Sequence, residues 1–157
     1  MGKHAGYIRK GTVWSTVEDN RRRMMDTCPN VDFYISPTLS IMNAMHITDF
    51  HKDWVEKGLL KHQDLNVNIL QDPLHYPIDI APEHYKDKIR TKFQEHIEWL
   101  KGNDDLQRAT NGFISAINYL ETDNTQYLDT FWEKTKQLDK IRNENVFDFI
   151  PELKDIS

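Results

Sequence analysis

Cysteine is almost absent from this chain of 157 residues, in which Cys28 is the single example. One thiol forms no internal disulfide, and alone it holds neither a structural zinc nor an iron–sulfur cluster. Apolar residues are also scarce, at 38% of the chain against roughly 45–50% in typical soluble domains. No apolar run is long enough to span a bilayer, and the first residues do not resemble a secretory signal. We therefore expect a folded cytoplasmic protein.

Positively charged residues are fewer than negatively charged ones. Twenty lysine and arginine residues stand against 25 acidic ones, which gives a net charge of −5. Proteins that bind phosphate backbones normally carry the opposite sign. The basic triplet 21–23 lies near the end of a helix predicted over residues 15–27, where it complements the helix dipole. We expect neither nucleic acid nor a membrane as a partner.

Two segments of the first half alternate between apolar and polar residues. Residues 31–36 and 65–70 both have this period of two, which predicts strands. Residues 43–57, between them, have the helical period, and Gly58 follows as a C-terminal cap. A strand, a helix and a second strand with this spacing predict a βαβ unit with parallel strands.

The second half has the helical period almost throughout. Helices are predicted from Pro82 to about residue 100, over residues 104–121 and over residues 125–142. The predicted fold class is α/β, with a partial parallel α/β barrel in residues 1–80. A mainly helical C-terminal extension in residues 81–157 is expected to pack on it.

The two predicted strands are unusual because parallel strands are normally apolar on both faces. Here one face carries polar side chains from both strands: Asp32, Tyr34, Asn66 and Asn68. In a partly closed barrel this face lines a lumen, whereas in an open sheet it meets water, and the sequence leaves both alternatives open. The segments after the strands, residues 36–43 and Gln71, carry hydroxyl and amide groups suited to ribose or amino-acid recognition.

Two further patterns lead to rival hypotheses. His46, Asp49 and Asp53 share a helix stripe, which would suit a metal-dependent hydrolase, although a solvated helix boundary explains the same spacing. An aromatic stripe in the second half indicates helix packing, or docking of a partner in a non-catalytic helical interaction module. Its residues are Tyr85, Phe93, Trp99, Phe131 and Trp132.

Residues 7–20 (YIRKGTVWSTVEDN) and 35–43 (ISPTLSIMN), taken together, resemble the later half of the barrel of radical S-adenosylmethionine (SAM) enzymes. The subgroup in question carries a twitch or SPASM-type C-terminal extension. In that family an arginine with a nearby glycine follows the fourth strand, and a Thr-x-Asn/Ser-x-x-Asn pattern ends the fifth. Residues 132–153 are similar to the end of twitch-type members found in phages and bacteria.

The resemblance implies a chemistry that this chain does not carry alone. Family members hold a [4Fe–4S] cluster in a Cys-x3-Cys-x2-Cys loop, and reductive cleavage of SAM there gives a radical that abstracts hydrogen from the substrate. That motif is absent here, so the resemblance implies a truncated protein with SAM and substrate contacts but no cluster ligands. A cluster is expected only if an N-terminal portion supplies the cysteines. Such a portion, or a protein or peptide substrate, is the implied partner.

Site residues follow from the resemblance position by position. Arg9 would pair with the SAM carboxylate, and Ser40 would hydrogen-bond SAM, with Thr38 and Asn43 completing the motif. Asn43 alternatively caps the helix that follows it. Strand alternation supplies the candidate substrate contacts: Asp32, Tyr34, Asn66, Asn68 and Gln71. Neither catalytic residues nor metal ligands are assigned.

Overall fold

The computed structural model describes residues 2–157, and 58% of the chain is helical. The α-helices are α1 (Gly2–Ile8), α2 (Trp14–Thr27), α3 (Ile47–Glu56), α4 (Glu83–Leu100), α5 (Arg108–Tyr119) and α6 (Leu128–Arg142). Two strands of two residues each, β1 (Thr38–Leu39) and β2 (Asn68–Ile69), lie on either side of α3 in the chain. Short 3₁₀ turns cover Ile78–Ile80, Thr125–Tyr127, Val146–Asp148 and Pro151–Ile156.

The predicted α/β fold class is wrong, because residues 2–157 are mostly helical and have only two short parallel strands in place of a partial α/β barrel with a βαβ unit. β1 and β2 pair in parallel with Thr38 opposite Asn68, and one isolated bridge joins Ile35 to Leu65. No further strand within residues 2–157 extends this pair. Residues 31–34 alternate in sequence but pair with no strand, and Val31 is 54% exposed. A two-residue strand pair is too small to close around a lumen.

Helix positions follow the predicted periods more closely than helix ends do. α2 begins one residue early, at Trp14, and its N-cap is Val13, whose side chain makes no capping hydrogen bond. Glu18 instead accepts a hydrogen bond from the Trp14 indole at 2.9 Å. α3 begins at Ile47 instead of residue 43 because the preceding residues form turns. α4 follows Pro82, in agreement with the effect of proline on helix starts.

Helix α1 (Gly2–Ile8) is absent from the sequence-based prediction. Two long-range hydrogen bonds hold this short helix. His4 Nε2 lies 2.7 Å from the Met42 carbonyl oxygen, and the Tyr7 hydroxyl donates to Asp139 Oδ1 at 2.7 Å. A seven-residue helix is marginal alone, so these contacts with distant parts of the chain stabilise it.

One hydrophobic core joins the strand pair to the later helices. Phe93 of α4 and Phe113 of α5 are fully buried, with their rings edge to face and centroids 5.1 Å apart. α5 also approaches β2 closely at Gly112, where an added Cβ would lie 3.0 Å from the Val67 Cβ. Gly112 therefore permits the contact between α5 and the strand pair.

The aromatic stripe of the second half packs inside the protein. Tyr85, Phe93 and Phe131 are fully buried, while Trp99 and Trp132 are half-buried. The Trp132 indole donates a hydrogen bond to the carbonyl oxygen of Ile156 at 2.9 Å. The interpretation of this stripe as helix packing is confirmed, because the rings contribute to the core.

Candidate functional site

A cavity of about 460 Å³ lies at the carboxyl ends of β1 and β2, and we call it the strand-end cavity. α1, the loop after β1 and α6 form its walls. Its lining residues are Tyr7, Ile8, Thr38, Ser40, Met42, Asn43, Leu70, Tyr76, Leu138 and Arg142. Three of the four residues that the resemblance assigns to SAM therefore border a single cavity.

Asn43 shapes the loop between β1 and α3. Its side-chain amide donates to the Thr38 carbonyl oxygen at 2.9 Å, and its side-chain oxygen accepts from the Ser40 N–H at 2.8 Å. Its backbone carbonyl also accepts from His46 and Ile47 at the start of α3. The side chain of Asn43 is thus committed to the loop, and we interpret it as a positioning residue.

The hydroxyl groups of Thr38 and Ser40 remain available for a ligand. Neither side-chain oxygen has a hydrogen-bond partner among the residues that the structure describes. The Asn43 bridge fixes the backbone on both sides of Leu39, which is fully buried. Both hydroxyls are consequently held at the rim of the strand-end cavity by backbone that has little freedom to move.

The guanidinium group that borders the strand-end cavity belongs to Arg142, at the end of α6. Arg142 Nη1 donates to the Tyr7 carbonyl oxygen at 2.7 Å, and its charge lies over the Tyr7 ring at 5.8 Å. Burial and the neighbouring Asp139 raise the pKa of Tyr7 well above its usual range. Sequence analysis missed Arg142, since no local pattern connects residue 142 with α1.

Arg9 lies outside the strand-end cavity and lines a second one of about 430 Å³, which we call the Arg9 cavity. The two cavities share only Ile8 and Asn43 among their lining residues. The structure therefore separates Arg9 from Thr38 and Ser40, with which the resemblance groups it.

The predicted substrate contacts do not line a lumen, because no barrel forms. Ser36 stands at the centre of a small polar cluster on the open side of the strand pair. Asn68 donates to the Ser36 hydroxyl at 2.6 Å, and Asn66 lies 3.4 Å from the same oxygen. Tyr34 is exposed under the Arg108 guanidinium at 4.8 Å. Asp32 and Gln71 are exposed.

The three residues of the proposed metal stripe on α3 contact three different partners. His46 Nε2 lies 3.2 Å from Glu152 Oε2, Asp49 pairs with Lys92 at 2.7 Å, and Asp53 pairs with Lys57 at 2.8 Å. No group of three histidine, cysteine or acidic residues within residues 2–157 is arranged to hold a metal ion. The structure gives the metal-dependent hydrolase no site.

An iron–sulfur cluster does not fit the residues that are present. Cys28 is exposed just after α2, and the chain has no second thiol to share a cluster with it. Cubane clusters need several thiolate ligands. Hydroxyl, guanidinium and aromatic groups do border the strand-end cavity.

Comparison of the chain with protein-family models, with curated proteins and with solved structures gives no match. The assignment to the radical SAM family therefore stays a prediction. Among residues 2–157, no helix has both the length and the apolar character needed to cross a bilayer.

Proposed function

We propose that this chain binds S-adenosylmethionine in the strand-end cavity, as a cluster-free relative of radical SAM enzymes. The observation that supports the proposal most directly is the arrangement around that cavity. The free hydroxyls of Thr38 and Ser40 and the Arg142 guanidinium border one space of about 460 Å³. That volume lies within the range of about 300–1,000 Å³ typical of small-molecule sites.

The chemistry of each group suits one part of the ligand. Arg142 uses Nη1 for the Tyr7 carbonyl and keeps its other N–H groups for a carboxylate. The hydroxyls of Thr38 and Ser40 are both donors and acceptors, as recognition of ribose hydroxyls requires. The Tyr76 ring lies in the same wall and supplies an aromatic face for adenine or for the positive sulfonium.

The proposal assigns binding, not catalysis, to this chain. SAM bound to a reduced iron–sulfur cluster supplies a radical that abstracts hydrogen, and the residues described here hold no such cluster. We therefore propose that a polypeptide carrying the cluster cysteines is the partner. The exposed polar side of the strand pair, around Ser36 and Asn68, would then contact that polypeptide or the substrate.

Calorimetric titration with SAM tests the proposed function. We expect saturable binding that is weakened about tenfold or more in Arg142→Gln, because a charge-assisted pair is lost. Ser40→Ala should weaken binding less and leave the melting temperature unchanged. Arg22→Gln is the matched control, since exposed Arg22 on α2 lies outside the strand-end cavity.

Equal affinity of the native chain and Arg142→Gln for SAM would contradict the assignment. Absence of heat at millimolar SAM with a folded native chain would contradict it as well. Circular dichroism of each variant shows whether weaker binding reflects loss of the fold.

Binding of another protein is a second candidate function, and α2 favours it. None of the residues of α2 is buried, and Met24 and Met25 are 37% and 38% exposed. Val13 and Val31 on either side are exposed by more than half. Exposed methionines and arginines are common at protein interfaces. Sedimentation velocity at rising concentration, with Met24→Gln/Met25→Gln as the control, would show whether this surface associates.

A further inference from the structure

The Arg9 cavity is apolar inside and lies apart from the strand-end cavity. α1, α2 and α3 surround it, together with the segment that leads into β1. Most of its wall is hydrocarbon or aromatic surface, from Ile8, Trp14, Val17, Ile35 and Phe50 among others. Polar side chains are the minority in this wall, so it favours an apolar group.

Its aromatic side has a defined geometry. The rings of Trp14 and Phe50 meet edge to face, with centroids 5.8 Å apart and planes at 80°. The Trp14 indole is fixed by its hydrogen bond to Glu18, which in turn accepts a bond from Lys57 at 2.8 Å. A planar ring entering the cavity therefore meets aromatic surface that is already oriented.

Among residues 2–157, Arg9 contributes the only permanent positive charge in the wall of this cavity. Within residues 2–157 its guanidinium makes no ion pair and no hydrogen bond. No aspartate or glutamate from the described part of the chain lines the cavity. Glu18 and Glu152, which lie nearby, are engaged with Trp14 and His46 respectively. The cavity thus combines apolar walls with an unpaired cation.

The deep end of the Arg9 cavity is uncharged at neutral pH on its α1 side. His4 is buried, and its Nε2 lies 2.7 Å from the Met42 carbonyl oxygen, to which it donates. Burial lowers the pKa of His4 to about 4, so its ring is neutral at pH 7. The positive charge is therefore at the exposed Arg9 and not in the interior. An anionic group belongs at the mouth and an apolar group inside.

We propose that the Arg9 cavity is a binding site for a small aromatic monocarboxylate. The ring lies against Trp14 and Phe50, and the carboxylate pairs with Arg9 at the opening. A phosphate is the poorer ligand, because one guanidinium faces it and most of the remaining wall is apolar. The inference does not depend on SAM binding, since the two cavities share only Ile8 and Asn43.

Titration of the full chain with 2-naphthoate tests the site, with the neutral 2-naphthalenemethanol as a matched ligand. We expect the acid to bind about tenfold or more tightly than the alcohol, because only the acid pairs with Arg9. Arg9→Gln should remove that preference and leave alcohol binding unchanged. Arg22→Gln, which removes the same charge from an exposed position outside the cavity, should keep the preference.

A variant that fills the cavity tests where the apolar half of the ligand binds. Val17→Trp adds bulk to the wall and should abolish binding of both naphthalene ligands, while circular dichroism confirms that the helices remain. Equal affinity for acid and alcohol in the native chain would overturn the proposal, and so would unchanged preference in Arg9→Gln. SAM titration of Arg9→Gln separates the two sites, because binding in the strand-end cavity should persist there.

Discussion

Helices α2 and α4 differ sharply in how they are held, although both are amphipathic. α4 buries six of its side chains, including Tyr85, Ile89 and Phe93, whereas α2 buries none. The difference lies in the inner stripe of each helix. In α2 the stripe runs from Trp14 through Val17 to Met24, but Arg21 interrupts it. A stripe with a charged residue at its middle rests on the surface and does not enter the core.

The two candidate cavities are bordered by helices other than α4 and α5. α4 and α5 place Phe93 and Phe113 in the core, whereas both cavities border α1, which is hydrogen-bonded to Met42, Asp139 and Arg142. Local stability is lowest where few apolar contacts are made. α2, which buries no side chain and borders the Arg9 cavity, is therefore expected to be held less firmly than α4.

Truncation of a core ring should have the largest effect. Phe113→Ala removes a fully buried ring and leaves a cavity beside Phe93, so we expect a loss of about 3–5 kcal/mol in the free energy of unfolding. Met24→Ala on α2 should change it by less than about 0.5 kcal/mol. Urea denaturation measures both. Similar losses in the two variants would show that α2 is as firmly packed as α5.

Sequence periodicity locates the elements that this core contains. Apolar residues in α4 and α6 recur at spacings of three and four. They therefore share one face of each helix, and Phe93 and Phe131 on these faces are buried. Gly102 also follows α4 with a positive φ of 78°, which is the conformation that favours glycine after a helix. These features depend on neighbours within one helix, so one sequence is enough to predict them.

The strands and the sites depend on contacts between residues that are far apart in the chain. The sequence alone was insufficient to predict these contacts. Alternation at residues 31–36 predicts a strand, but a strand also needs a partner, and only Ile35 forms a bridge. Thr38 and Ser40 were identified through a resemblance, whereas Arg142 joins their cavity across more than a hundred residues. Such convergence is a property of the tertiary packing. Helix α1 was missed for the same reason.

Lowering the pH should have the next largest effect, because two buried histidines lie where α3 packs against α4. His51 of α3 and His96 of α4 are fully buried, with His51 Nδ1 and His96 Nε2 2.9 Å apart. Burial is the main cause that lowers their pKa values, to about 4 for His51 and about 3 for His96. Unfolding restores a pKa near 6.5, so the unfolded chain binds protons first as pH falls.

The sign of this effect is therefore a loss of stability on acidification. Stability from the histidine pair is complete above about pH 6.5 and declines as the pH falls from there to about pH 3, where His96 also gains its proton. Unfolding measured at pH 7 and pH 4.5 should show a smaller difference in His51→Gln/His96→Gln than in the native chain. Parallel pH profiles of the two proteins would mean that the pair is not buried in neutral form.

Arg21 provides the finest test of the comparison, because it is the polar anchor of a helix that has half-buried but no fully buried side chains. Its Nε donates to the Leu59 carbonyl oxygen at 2.8 Å, and its guanidinium lies 3.7 Å from the centre of the Phe33 ring. Arg21→Ala leaves the carbonyl of buried Leu59 without this donor. We expect a loss of about 1–2 kcal/mol, as for a charged hydrogen bond at a partly exposed site.

Arg22→Ala is the matched control for this experiment, since the neighbouring arginine is exposed and occupies the same helix with the same charge. Its effect on urea denaturation should stay within about 0.5 kcal/mol. If Arg21→Ala lowers the free energy of unfolding as little as Arg22→Ala does, the contacts of Trp14 and Val17 hold α2. The contacts of Arg21 then add no stability. If Arg21→Ala alone destabilises, the contacts of its guanidinium with the Leu59 carbonyl and the Phe33 ring hold α2 in addition to Trp14 and Val17.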